Sequence, residues 1–421
     1  MITQAPRGTY DATPNENATF RSDVLHRLED HFFAVMARYG YGEVRTPMFE
    51  HTELFSRTSG DTSEVVNKQM YSFTDKGDRS VTLKPEGTAP AVRAYLDAKL
   101  GAQGGVTRLC YQTAIFRYER PQKGRYRQAH QFGLELFGSS QPDADAEIIE
   151  ATIEFYRAIG LRDTVVLLNC IGRAESRARF REALAAYLAP WLPDQSEEIK
   201  MLADRNPLRL FDQKDPKVNE FMAGAPVVTD HLEDASRAHF DTLQALLTEA
   251  GVGYELRPEI VRGLDYYTDT VFEVHSTLLG AQGALCGGGR YDNLVKEVGG
   301  PATPGVGVGM GVERAYIVLE AQGDLPPMPG LNVFVVAATE DAWPTVRTLC
   351  RALRASGLSV QYDVEGKNLK GQMKQADRMR AQWAVILGTD ELAAGQATIK
   401  NLATGEQRQV PQSEIAATVG A

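Results

Sequence analysis

Residues 116–137, FRYERPQKGRYRQAHQFGLELF, read as two strands joined by a basic loop, and a hairpin whose faces carry chemistry points to a fold built around an antiparallel sheet. On the returning strand side chains alternate between faces, so Phe132, Leu134 and Leu136 point one way and Gln131, Gly133, Glu135 and Phe137 the other. Gly133 leaves a gap between Gln131 and Glu135, whose Cα atoms lie roughly 13 Å apart at about 3.3 Å per residue. A small ligand with polar groups at both ends fits such a gap. Arg117 on the outgoing strand adds a planar cation suited to a phosphate. The plainer alternative is an ordinary hairpin with a solvated loop. Against it, Arg117, Arg120, Lys123, Arg125 and Arg127 stand with a single acid, Glu119, which is a concentration that faces phosphate or nucleic acid.

The second constraint is GVGVGMGVERAYIVLE, residues 305–320. In an extended strand Gly305, Gly307, Gly309 and Gly311 share one face and Val306, Val308 and Met310 the other, so one face is bare backbone. Four glycines weaken a strand, and close approach of a ligand or another backbone is the usual reason for them. Tight packing against a helix is the alternative. Arg314 falls in the first turn of the following helix, where the macrodipole disfavours a cation, so a nearby anion explains it better. A nucleotide on the glycine face, with Arg117 and Arg314 on its phosphates, accounts for both elements. The chain has no GxxxxGK[ST] loop and its odd-spaced glycines do not make GxGxxG, so neither a P-loop nor a dinucleotide fingerprint is present.

Two more segments add polar groups. VTLKPEGTAPAVRAYL, residues 81–96, sets Glu86 and Thr88 in a turn before a helix, and RGLDYYTDTVFEV, residues 262–274, sets Arg262, Asp265, Tyr266 and Tyr267 at a strand entrance, followed by CGGGRYDNL with Tyr291.

At 421 residues the chain exceeds one ordinary core, so two or three domains are expected. AQGDLPPMPG, residues 321–330, is a linker. Beyond it LNVFVVAA, LSVQYDV and WAVILGT alternate with helical segments, which predicts a small α/β domain over 331–421 with a mainly parallel sheet. Residues 1–325 read as α+β around an antiparallel sheet, with an early helix over 21–39 and a helical insertion between roughly 171 and 255. The net charge is −10, and it is unevenly spread: residues 331–421 hold 10 Lys+Arg and 9 Asp+Glu, the first 330 residues 35 and 46. Four dispersed cysteines, Cys110, Cys170, Cys286 and Cys350, argue against a zinc site or a disulfide framework and predict reduced thiols. No run approaches the ~18–20 apolar residues of a membrane helix and the N-terminus lacks a secretory pattern, so a cytosolic protein with no membrane partner is expected.

These residues together resemble the histidyl-tRNA synthetases, a branch of the class II aminoacyl-tRNA synthetases, over nearly the whole chain. The helix and YGYGEVRTPMFE with Pro47, FRYERPQKGRYRQAHQFGLELFG, and GVGVGMGVERAYIVLE are similar to the three class II motifs, and RGLDYYTDTVFE and GGRYDNL to signatures of the histidine branch. The resemblance implies a class II catalytic domain, and attack of a histidine carboxylate on the α-phosphate of ATP, followed by transfer to the 3′ end of tRNA(His). It implies Arg117 on the α-phosphate, Arg314 on the γ-phosphate, and Arg262 as a further catalytic cation. Glu119, Arg125, Gly309 and Gly311 complete the ATP site, and Mg²⁺ bridges the outer phosphates. Glu86, Thr88 and Gln131 would hold the substrate ammonium, Glu135 and Tyr267 would read the imidazole, and Arg262, Tyr266 and Tyr291 would complete the histidine site. Gln122 and Arg127 would reach the tRNA acceptor end. The C-terminal domain would bind the anticodon, with Lys370, Lys374 and Arg378 recurring every four residues on one helix face. A homodimer is implied as well. The alternative is the synthetase-like, histidine-sensing regulatory subunit of ATP phosphoribosyltransferase, which typically lacks the anticodon domain and departs from RGLDYY.

Overall fold

The computed structural model describes residues 3–59, 69–120, 122–205, 207–211, 213, 215–258, 260 and 266–420, in two compact units, Met1–Leu325 and Pro326–Ala421. The first unit is organised by an eight-stranded sheet. Edge to edge its strands are Tyr254–Leu256, Val165–Cys170, Thr268–His275, Ala284–Arg290, Gly305–Gly311, Gln128–Phe137, Thr107–Phe116 and Gly42–Glu43. The outermost ladder at each edge is parallel and the inner ladders are antiparallel. A separate three-stranded sheet joins Phe49–His51, Ser80–Leu83 and Tyr71–Thr74.

Helix Ser22–Arg38 forms because Val24, Leu28, Phe32, Val35 and Met36 recur at helical spacing and are all buried, with Asp23 in the first turn and Arg38 in the last complementing the dipole. Its apolar stripe meets the strand face that carries Phe132, Leu134 and Leu136. Phe32 stacks on Phe132 with ring centroids 4.4 Å apart, and Phe155 of helix Pro142–Ala158 closes on both rings edge-on. Helices Asp234–Glu249 and Val312–Gln322 complete this core. The opposite face of the sheet carries Phe137, Tyr266, Tyr267 and Tyr291 against helix Thr88–Asp97. A one-residue slip of the Gln128–Phe137 strand would exchange the two sets, so burial on both faces pins its register.

The stretch between Cys170 and Tyr254 is helical, but it divides. Helices from Ala174–Leu188 to Pro216–Met222 pack around their own cluster of Phe180, Leu184, Leu188, Leu210, Val218, Met222 and Val228. Helix Asp234–Glu249 instead sends Phe240, Leu243 and Leu247 into the main core.

The second unit corrects one expectation. Strands Val333–Ala337, Val360–Tyr362 and Trp383–Leu387 are parallel neighbours, but Gln396–Asn401 and Gln407–Pro411 extend the sheet as an antiparallel hairpin, so it is mixed rather than mainly parallel. The hairpin is amphipathic on a half-exposed edge, and its polar residues hide it from a search for apolar runs. All four cysteines are buried and none is in a disulfide.

One buried ionic network ties the sheet to its helices. Arg290, fully buried at the end of its strand, donates from Nε to both oxygens of Asp145 at 3.2 and 3.1 Å, from Nη1 to Asp292 at 3.0 Å and to the carbonyl of Ser139 at 2.9 Å. His239 Nε2 of helix Asp234–Glu249 lies 3.3 Å from Asp145 Oδ2. Removing one member strands the other charges out of water, so Asp145→Ala should lower stability by about 3–5 kcal/mol in urea unfolding; a loss under about 1 kcal/mol would show the network to be dispensable.

Candidate active site

A cavity of about 550 Å³ opens on the glycine-bearing face of the sheet, and most of the residues expected at a site meet there. Arg117, Glu119, Arg125, Gly309, Gly311 and Arg314 line it together with Glu86, Thr88, Gln131, Tyr266 and Tyr267. Glu135 and Tyr291 are buried behind this wall rather than on it. Gln122 is exposed in the loop outside the cavity. Lys370, Lys374 and Arg378 are exposed along helix Leu369–Arg378 of the second unit. Arg262, with Asp265, lies outside the described residues.

The cationic part is assembled from the hairpin and the helix behind the glycine strand. Arg117 sits one residue past the outgoing strand, its Nε donating to the carbonyl of Pro85 at 2.7 Å. Arg314 donates from Nε to the carbonyl of Gly124 at 3.2 Å and from Nη1 to that of Ala284, which pins the basic loop against the helix. Burial first, then repulsion from Arg125 and Arg117, lowers the pKa of Arg314. Glu119, with Oε2 3.6 Å from Arg125 Nε, offsets part of this repulsion, and an anionic ligand among the guanidinium groups would offset more. Arg127 is engaged elsewhere: it lies 4.1 Å above the ring centroid of Tyr118, donates from Nε to the carbonyl of Glu119 at 3.5 Å and from Nη1 to that of Arg7 at 3.3 Å.

The polar part is built on the turn before helix Thr88–Asp97. Glu86 accepts from the backbone N–H groups of Thr88 at 2.6 Å and Ala89 at 2.9 Å, which satisfies two amides at the helix start. Burial nonetheless outweighs these bonds and raises its pKa. Gln131 Oε1 accepts from the Gly87 N–H at 3.0 Å, locking the amide across the strand boundary.

Two expectations about glycine need correction. The gap over Gly133 is filled by the protein itself: a Cβ there would come within 2.1 Å of the phenol of Tyr111. Nor is the glycine strand bare along its length. A Cβ on Gly307 would strike Glu135 Oε2 at 1.9 Å, one on Gly309 would strike Gln131 Nε2 at 2.3 Å, and one on Gly305 would strike Tyr291 at 2.4 Å. The missing side chains make room first for neighbouring side chains; Gly309 and Gly311 also border the cavity.

Sequence reasoning passed over several groups. Glu313, next to Arg314, accepts from the backbone N–H of His130 at 2.8 Å, pairs with His130 Nδ1 at 2.8 Å and accepts the hydroxyl of Tyr10. The hydrogen bond to Glu313 raises the pKa of His130 despite burial. Glu273 and His275, 2.6 Å apart on one strand, form another wall, and Tyr111 is buried under the floor. An acid in a first helical turn was a readable signal for Glu313; the others needed strand register.

Glu135 is fully buried and accepts from Tyr111 at 3.0 Å and from Tyr291. Burial dominates these bonds and pushes its pKa up to about 8 from 4.5. The folded chain therefore keeps a proton that the unfolded chain has released between these values, so this group's stabilising contribution is full below about 4.5 and is lost as pH rises through about 8. Glu135→Gln should flatten the fall in unfolding free energy between pH 5 and 8, by on the order of a few kcal/mol across that range. Parallel wild-type and variant profiles would show that Glu135 is ionised throughout.

Comparison with known proteins follows the same lines. The family model described as histidyl-tRNA synthetase matches residues 16–315, and that described as an anticodon binding domain matches residues 332–421. A histidine–tRNA ligase of Moorella thermoacetica is 45% identical over 416 residues, covering 99% of this chain and 97% of that one. The crystal structure of apo S. aureus histidyl-tRNA synthetase superposes with a TM-score of 0.83 at 33% identity, with 100% of both chains covered. A Bacillus halodurans structure titled ATP phosphoribosyltransferase regulatory subunit/histidyl-tRNA synthetase shares the fold at a TM-score of 0.65 and 21% identity, covering 92% of this chain and 98% of its own. With its motifs, its cavity and these matches in agreement, the chain belongs to the histidyl-tRNA synthetase family.

Proposed function

We infer that the chain is an ATP-dependent histidine–tRNA ligase, which activates L-histidine as its adenylate and transfers it to the 3′ end of tRNA(His). The observation that carries this reading is one cavity whose lining combines arginines with carboxylate, amide and phenol groups. Arg117 and Arg314 take the α- and γ-phosphates, with Arg125 and Glu119 beside them. Glu86, Thr88 and Gln131 hold the substrate ammonium. Glu135 with Tyr267, supported by Tyr266 and Tyr291, reads the imidazole. Holding the amino-acid carboxylate in line with the α-phosphate, and countering the charge that builds there, supplies most of the acceleration. Arg262, outside the described residues, is assigned the same task at the α-phosphate.

The cavity suits Mg²⁺. Among the described residues no three His, Cys, Asp or Glu side chains gather as a ligand set, and magnesium on a nucleotide uses one or two carboxylates plus phosphate oxygens. Glu119, whose buried Oε2 lies 3.6 Å from Arg125 Nε, and Glu273 would supply such carboxylates. The ion would neutralise charge on the outer phosphates.

For tRNA, exposed Gln122 and the loop stacked through Arg127 face the acceptor end, and the Lys370, Lys374 and Arg378 face of the second unit takes the anticodon backbone. Of the helices between 171 and 255, those ahead of helix Asp234–Glu249 form a branch-specific insertion. Exposed Met48, Phe49 and Phe73, around the first motif, are the face a second copy covers in a homodimer. Among the described residues no helix is long and apolar enough to cross a membrane; cytoplasmic location is part of this proposal.

Purified protein should exchange pyrophosphate into ATP with histidine and with no other standard amino acid. Folded protein that binds histidine without exchange would favour the regulatory-subunit reading. Arg262→Ala should abolish adenylate formation, a loss of at least about 100-fold in exchange rate, with histidine binding within a few-fold of wild type by calorimetry. Undiminished exchange would remove Arg262 from the mechanism.

A further inference from the structure

Tyr111 belongs to no motif read from the sequence. It stands on strand Thr107–Phe116 directly across from Gly133, and opposed residues of an antiparallel pair share a face, so its ring lies over the glycine. A Cβ on Gly133 would approach the ring to 2.1 Å and one on Gly87 to 2.3 Å. The phenol is thus sandwiched in a slot that exists only because both positions are glycine. Its hydroxyl donates to Glu135 Oε1 at 3.0 Å, while the hydroxyl of Tyr291 donates to Oε2. Thr88, on the cavity wall, lies against the same phenol.

We propose that Tyr111 is a positioning residue that sets amino-acid specificity: with Tyr291 it occupies one lone pair on each oxygen of Glu135, leaving the carboxylate, once ionised, only accepting capacity for the substrate. This rests on the histidine–tRNA ligase reading of the site. A neutral imidazole brings one ring N–H to such an acceptor and keeps its second nitrogen for a phenol. A phenyl side chain brings no donor, so the accepting capacity left on Glu135 goes unused in a buried site, the condition under which a site rejects strongly. Tyr111 acts through Glu135 and not on the reacting atoms. The ring also fixes where the carboxylate stands, because neither neighbouring glycine gives it another place to go.

Tyr111→Phe keeps the ring and removes one oxygen. In histidine-dependent pyrophosphate exchange, KM for histidine should rise about tenfold or more, the size of a lost hydrogen bond to a charged group, while KM for ATP stays within about twofold. The pH below which histidine affinity falls should move upward, because the lost bond favoured the ionised carboxylate. Gly133→Ala, which evicts the ring, should give the same selective loss; if that variant fails to fold, thermal melting and histidine calorimetry on Tyr111→Phe decide alone. Unchanged histidine KM and pH profile in Tyr111→Phe, or equal rises in both KM values, would overturn the proposal. Wild-type protein without histidine-dependent exchange overturns the functional reading and this proposal with it, whereas active wild type beside an indifferent Tyr111→Phe overturns the proposal alone.

Discussion

Side chains lying flat across a strand of glycines are the contact on which the site depends. Gln131, Glu135 and Tyr291 each occupy space that a Cβ on Gly309, Gly307 or Gly305 would take, and Tyr111 does the same over Gly133. The sheet therefore carries a dense polar layer without thickening, and the cavity sits on that layer. Substituting alanine at any of these glycines would displace a functional group rather than simply fill a void. The main core, on the opposite face, holds the strands in the register that makes these overlaps possible.

Two buried groups of the site have electrostatically unfavourable surroundings. Arg314 is buried close enough to Arg117 and Arg125 for its charge to be disfavoured, and Glu135 is buried deeply enough that its proton is retained to about pH 8. A polyphosphate relieves the first and a ring N–H suits the ionised form of the second. One of these groups lines the cavity and the other stands one layer behind it, a placement that fits a binding site. The Arg290–Asp145–His239 network differs: its groups face one another, and its role is to hold the end of the strand that leads into Tyr291.

Much of this architecture was legible in the chain. Alternation along Phe132–Phe137, the glycines at 305–311, the helical spacing of Val24 to Met36 and the proline-rich break before residue 330 each follow from short-range periodicity or backbone chemistry. The cation cluster was legible too, since Arg314 stands against the helix dipole. What escaped was set by pairing between distant segments. Tyr111 gains its meaning only from Gly133, 22 residues on, and the 396–411 hairpin is too polar to announce itself.

From the residues alone came the list of groups able to bind phosphate, ammonium and imidazole, because residue type and local spacing decide what chemistry a segment can perform. Tertiary structure alone decided which of them meet a common cavity and which stand one layer behind it. Glu135 is the clearest instance: strand alternation put it on the correct face, but only the register of three strands placed Tyr111 over Gly133 and Glu135 over Gly307. Register is a long-range property, fixed by cores on both faces of the sheet, and no local pattern carries it.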